Sequence, residues 1–156
     1  MQQSTFMLYK NIVLAYDGSL EGRRALREGA ELAAQFKART HLLAVIKHSA
    51  GTAIGQGFEA RGLAAAEVSH FQKTLDEGVG ILKGFGLEAT GYLTQGDPVE
   101  EIVKLAASVH ADLVVVGHRE HGPLTRWWRT PVSMSLMDKL ACSVLIGMKD
   151  RITDSD

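Results

Sequence analysis

The sequence is poor in several features that would each point to a function. It holds one cysteine, Cys142, so no internal disulfide can staple the chain. Its 17 Lys and Arg nearly balance its 18 Asp and Glu, for a formal net charge of −1. That balance argues against a nucleic-acid binder and against a polybasic membrane-surface protein. No apolar run approaches the roughly 20 residues that span a bilayer. The opening "MQQSTFMLYK" has no basic start followed by an apolar segment, so no secretory signal is expected. There is no Gly-x-Ser-x-Gly elbow and no Gly-Lys-Ser/Thr phosphate loop. His118 and His121 are three apart, but no cysteine lies near and no acidic pair follows at ligand spacing. No tightly bound metal is therefore expected. With no repeat or low-complexity stretch, the 156 residues are expected to form one cytoplasmic domain. Its core would cover about residues 9–148, with a loose polar tail at 149–156. Cys142, framed by "LACSVLIGM", is expected to be a buried, reduced thiol.

What is present is an alternation of short apolar runs with helical patterns. "NIVLAY", 11–16, is continuous and apolar, as a strand covered on both faces should be. Ser19 is placed to cap a helix over 20–37, whose apolar face carries Leu26, Ala30, Ala33 and Phe36. A second strand is expected over 41–48. Val68, Phe71, Leu75, Val79 and Leu82 then form a stripe at spacings of three and four, predicting a helix over 58–85. A third strand is expected over 87–94. "GDPVEEIV" supplies Asp97 as a cap, Pro98 at the first helical position and Glu100 three after the cap. Val99, Ile102, Val103 and Ala106 form the buried face of that helix. "DLVVVG", 112–117, and "SVLIGM", 143–148, are the last two strands, with a helix restarting near Thr130-Pro131 between them.

Strands alternating with helices predict a doubly wound, five-stranded parallel sheet of order 3-2-1-4-5 in the α/β class. Ligands of such sheets bind where the strand order reverses, between strands 1 and 4. Asp17-Gly18-Ser19 ends strand 1 and Gly117 ends strand 4, so the two turns should lie side by side at the carboxyl rim. The final strand is expected at an open edge, where an apolar strand invites pairing with a second copy.

"KNIVLAYDGSLEGRRAL", "GDPVEEIVKLAASVHADLVVVG" and "LACSVLIGM", in this order, resemble the universal stress protein family from about Tyr9 to Met148. The resemblance implies a Rossmann-like domain that forms a homodimer through its last strand, here 143–148. It also implies that many relatives bind ATP or AMP at the switch point. On that pattern Asp17, with Gly18, lies in the adenine pocket and Val45 flanks the base. The phosphate loop would run from Gly117 through His118, Arg119, Gly122, Arg129 and Thr130 to Ser133. The loop departs from the family pattern of Gly, two residues, Gly, nine residues, Gly-Ser or Gly-Thr. Glu120 stands where the second glycine belongs, and Thr130-Pro131 replaces the closing pair. Glu120 brings negative charge toward an anion, and Pro131 removes a backbone donor. Arg119, Arg126 and Arg129, with His118 and His121, offer compensating charge. Trp127-Trp128 is an anchor for the loop or a binding surface.

The expected function is that of a non-enzymatic, stress-response regulatory homodimer acting on a client protein. ATP or AMP is the candidate ligand. A dimeric interaction module without nucleotide is the alternative. A slow nucleotide hydrolase is a third reading, but it would need a metal and an oriented water, and Glu120 is the sole added carboxylate near Gly117.

Overall fold

The structure is a computed structural model that describes residues 8–18, 20–47, 59–117 and 132–147. Among the described residues the strands are β1 (Asn11–Ala15), β2 (Arg39–Lys47), β3 (Ala89–Gly96), β4 (Leu113–Gly117) and β5 (Ser143–Gly147). The helices are α1 (Leu20–Phe36), α2 (Glu59–Gly84), α3 (Pro98–Ser108) and α4 (Val132–Lys139). The sheet is parallel throughout, in the order β3-β2-β1-β4-β5. This is the α/β, Rossmann-like arrangement expected from the sequence.

Alternation along the strands sorts side chains into two cores. Ile12, Leu14, Leu42, Leu113 and Val115 face α1 and α2, where they meet Leu26, Ala30, Leu75 and Leu82. Val13, Leu43, Val114 and Val116 face the other way, against Val99, Ile102 and Leu105 of α3 and Leu136 of α4. Burial on both faces explains the continuous apolar runs of β1 and β4. Glycines let two helices sit close to the sheet. A Cβ on Gly29 would lie 2.7 Å from a Leu14 methyl, and one on Gly78 would run into a Leu42 methyl.

The helices run antiparallel to the strands, so their carboxyl ends gather at the amino rim of the sheet. Three of them close there with the same device. In α1, Ala38 N donates to Ala33 O and Lys37 N to Ala34 O; in α2, Leu87 N donates to Leu82 O and Gly86 N to Lys83 O. In α3, Ala111 N donates to Ala106 O and His110 N to Ala107 O. Each pair of bonds turns on one left-handed residue: Lys37 (φ 52°), Gly86 (φ 78°) and His110 (φ 53°). Asp112 ties β1 to β4 at the same rim. Its Oδ2 accepts from Lys10 N at 2.6 Å and from Asn11 N at 2.9 Å.

Four expectations are corrected. β3 starts two residues later than 87 and runs to Gly96, because Leu87 belongs to the cap of α2 and packs there at 8% exposure. Conversely β2 starts at Arg39, two residues earlier than expected, because Thr40 already pairs with Ala89. Val68 is 43% exposed, so the stripe of α2 meets the core only from Phe71 onward and is buried at Thr74 and Leu75. The helix is about 39 Å long, longer than the roughly 30 Å of β2, and the excess projects past the carboxyl rim. Cys142 is half-buried rather than buried; partial desolvation, with Asp112 adding to it, pushes its thiol pKa up.

Candidate functional site

At the carboxyl rim β1 pairs with β4 through Ile12–Leu113, Val13–Val114 and Leu14–Val115. Continuing that register sets Tyr16 level with Gly117. The turn that carries Asp17 and Gly18 is therefore neighbour to the end of β4, at about one inter-strand spacing, ~5 Å. On its other side β1 pairs with β2 up to Ala15–Leu43, and Tyr16 N extends the ladder by donating to Leu43 O at 2.9 Å. One step further sets Asp17 level with Val45. Val45 in turn pairs with Thr94 of β3.

A row thus crosses three strands at one level: Thr94, Val45, Asp17. The row lies on the α3 side of the sheet, since Ala15, Val45 and Tyr92 all pack into that core. Asp17 is half-buried, and its Oδ2 is shielded from solvent. Val45 is half-buried and apolar. Thr94 Oγ1 is buried and has no hydrogen-bond partner. An acceptor carboxylate, an apolar platform and a hydroxyl in one line form a small convergent set.

Gly18 has φ 82°, and a Cβ there would stand 2.9 Å from Thr74 Cγ2 of α2. Glycine is required at this turn by its backbone and by the helix packed behind it. The rear of the turn is braced further. Arg23 Nε donates to the Tyr16 hydroxyl at 3.3 Å, and its guanidinium lies 2.8 Å from Glu77 of α2. No local pattern in the sequence announces this brace, because its three residues come from β1's end, α1 and α2.

Asp97 is occupied as a helix cap: Oδ1 accepts from Glu100 N at 3.1 Å, with Pro98 following. It lies outside the row. The opposite rim carries a shallow cavity of about 490 Å³ between the ends of α1 and α2. Of its charged lining residues Lys37, Arg39 and Glu88, the last two pair with each other at 3.4 Å, both well exposed.

The profile described as the universal stress protein family matches residues 8–146. This chain belongs to the universal stress protein family. A universal stress protein of Methanocaldococcus jannaschii is 26% identical over 146 residues, covering 92% of this chain and 85% of that one. Among solved structures, a universal stress protein from Lactobacillus plantarum superposes with a TM-score of 0.75 at 21% identity, covering 88% of this chain and 97% of that one. The universal stress protein from Archaeoglobus fulgidus in complex with dAMP matches with a TM-score of 0.60 at 25% identity, covering 89% and 98%.

Within the family frame, the structure brings Asp17, Gly18, Val45 and Gly117 to one rim. His118, Arg119, Gly122, Arg129 and Thr130 lie outside the described residues, as do Glu120, His121, Arg126, Trp127, Trp128 and Pro131. So does Ser19, the expected cap of α1. Ser133 belongs to the backbone of α4, and its side chain is outside the described set. Among the described residues no group of three His, Cys, Asp or Glu is placed to hold a metal ion. No described helix is long and apolar enough to cross a membrane. Sequence reasoning missed Thr94, whose signal is weak: a lone threonine in a strand is ordinary, and only the register sets it beside Val45.

Proposed function

We propose that this protein is a non-enzymatic regulatory homodimer of the stress response that binds an adenine nucleotide, AMP or ATP, at the carboxyl rim between β1 and β4. The observation that carries the reading is the register that sets the Asp17 turn between Gly117 on one side and the Val45 platform on the other. The dAMP complex of the Archaeoglobus fulgidus relative supports the ligand class. A carboxylate there takes the hydroxyls of a ribose or the amino group of a base, and Val45 offers an apolar surface for a ring. The basic residues Arg119, Arg126 and Arg129 supply charge for phosphate. Nucleotide occupancy then alters a rim that a client protein reads.

The dimer forms through β5. Among the described residues that strand pairs on one side only, with β4, and it presents Ile146 at 37% exposure. An uncharged apolar strand at an open edge is stabilised by pairing with its copy. Sedimentation at micromolar concentration is expected to give twice the chain mass of 16.9 kDa, and a monomer would refute this part.

Calorimetric titration with AMP and ATP at low salt tests the ligand. Wild type is expected to bind, and Asp17→Ala to lose at least tenfold in affinity, the effect of one charge-assisted hydrogen bond. Equal affinity in both would move the base away from Asp17. A second reading has one specific support: Glu120 and Thr130-Pro131 depart from the family's phosphate loop. On that reading the protein is a dimeric interaction module, and neither nucleotide gives heat.

A further inference from the structure

We propose that Thr94 is a specificity-determining residue of the rim site: its hydroxyl contacts a polar edge of the base seated over Val45, on the side away from Asp17. This deepens the adenine-nucleotide reading and rests on it. Thr94 Oγ1 is shielded from solvent and has no hydrogen-bond partner among the described residues, while the residue as a whole is only half-buried, so a rotation about χ1 is what brings the hydroxyl to a ligand. A buried hydroxyl left in that state is a net cost to the fold. Valine has the same shape without the polar atom, so the fold alone gains nothing from threonine here.

Position supplies the rest. Thr94 pairs directly with Val45, and Val45 is level with Asp17, so the hydroxyl and the carboxylate flank the apolar residue from opposite sides. Two inter-strand spacings, about 10 Å in all, separate their backbones, which leaves room for a flat ring between the side chains. A carboxylate only accepts hydrogen bonds, whereas a hydroxyl also donates. Adenine carries an amino donor and ring nitrogens that accept, so a ring over Val45 has a group for each flank.

The neighbouring buried threonine shows what an internally satisfied hydroxyl looks like in this sheet. Thr40, 1% exposed, donates from Oγ1 to Glu88 O at 2.7 Å. Thr94 has the same residue type and strand setting but no such acceptor.

The experiment compares wild type, Thr94→Val and Thr94→Ser by AMP calorimetry and, without ligand, by thermal unfolding. Without ligand, Thr94→Val is expected to melt at or above the wild-type temperature, because an unsatisfied polar atom is removed. Its affinity for AMP is expected to fall about tenfold, the equivalent of one net hydrogen bond. Thr94→Ser keeps the hydroxyl and is expected to stay within about twofold of wild type. Unchanged AMP affinity in a stable Thr94→Val overturns the proposal while leaving the nucleotide site standing. A lower melting temperature without ligand also overturns it, since the hydroxyl then bonds within the protein. Failure of wild type itself to bind AMP removes both the site and this residue's part in it.

Discussion

Thr40 and Thr94 sit at opposite rims of one sheet, and their hydroxyls meet opposite fates. At the amino rim Thr40 donates to Glu88 O. Around it Asp112 accepts from two backbone N–H groups, and three helix ends fold their carbonyls into closing hydrogen bonds. At the carboxyl rim the Thr94 hydroxyl has no partner among the described residues, Gly18 holds a left-handed turn, and α2 runs on past the strands. The amino rim satisfies its own polar groups and fixes register. The carboxyl rim keeps a Thr94 hydroxyl that no described residue satisfies, which suits a binding edge.

Substitutions at the two rims should therefore separate stability from binding. The largest effect is expected at Asp112. Asp112→Ala removes a charged acceptor from Lys10 N and Asn11 N and is expected to cost about 2–3 kcal/mol in urea unfolding, with nucleotide affinity unchanged. Gly18→Ala is next. A non-glycine residue at φ 82°, with its Cβ against Thr74, is expected to cost about 1–2 kcal/mol and, unlike Asp112→Ala, to weaken binding as well. Lys37→Gly should act in the other direction. Lys37 holds φ 52° at the end of α1, and glycine there is expected to stabilise by about 0.5–1 kcal/mol, raising the urea midpoint.

The smallest effect is pH dependent and belongs to His41. Its Nε2 lies 3.3 Å from Asn11 Oδ1, an acceptor, so Nε2 carries the proton and Nδ1 accepts from the Tyr92 hydroxyl at 3.2 Å. Burial first, and the charge of Arg39 second, lower its pKa below the ordinary 6.5. A lowered folded-state value means that the unfolded chain takes up the proton first. The contribution to stability is complete above pH 6.5 and is lost as the pH falls through the folded-state value. Urea midpoints from pH 7.5 downward should decline in wild type more than in His41→Asn. Parallel profiles would remove His41 as the cause.

Much of the fold was legible because it is written in local patterns. β1 and β4 are buried on both faces and so appear as continuous apolar runs; α3 announces itself through Asp97 and Pro98. The strand order followed from the connection rules, and with it the adjacency of Asp17 and Gly117. The start of β3 was misjudged because Leu87 is apolar for another reason, as the hydrophobic contact that closes α2. Val68 keeps the helical spacing but lies beyond the sheet it would need to cover. Asp112 was read only as part of a motif; its work is to bind the amides of a strand 101 and 102 residues away. Thr94 became visible only through register, which no local pattern reports.

Amide chemical-shift mapping during an AMP titration tests the contrast between the rims most directly. The largest shifts are expected on Asp17, Gly18, Val45, Thr94 and Gly117, while Asn11, Arg39, Glu88 and Asp112 stay still. Shifts gathered instead around Lys37, Arg39 and Glu88, or none at saturating AMP, would contradict it.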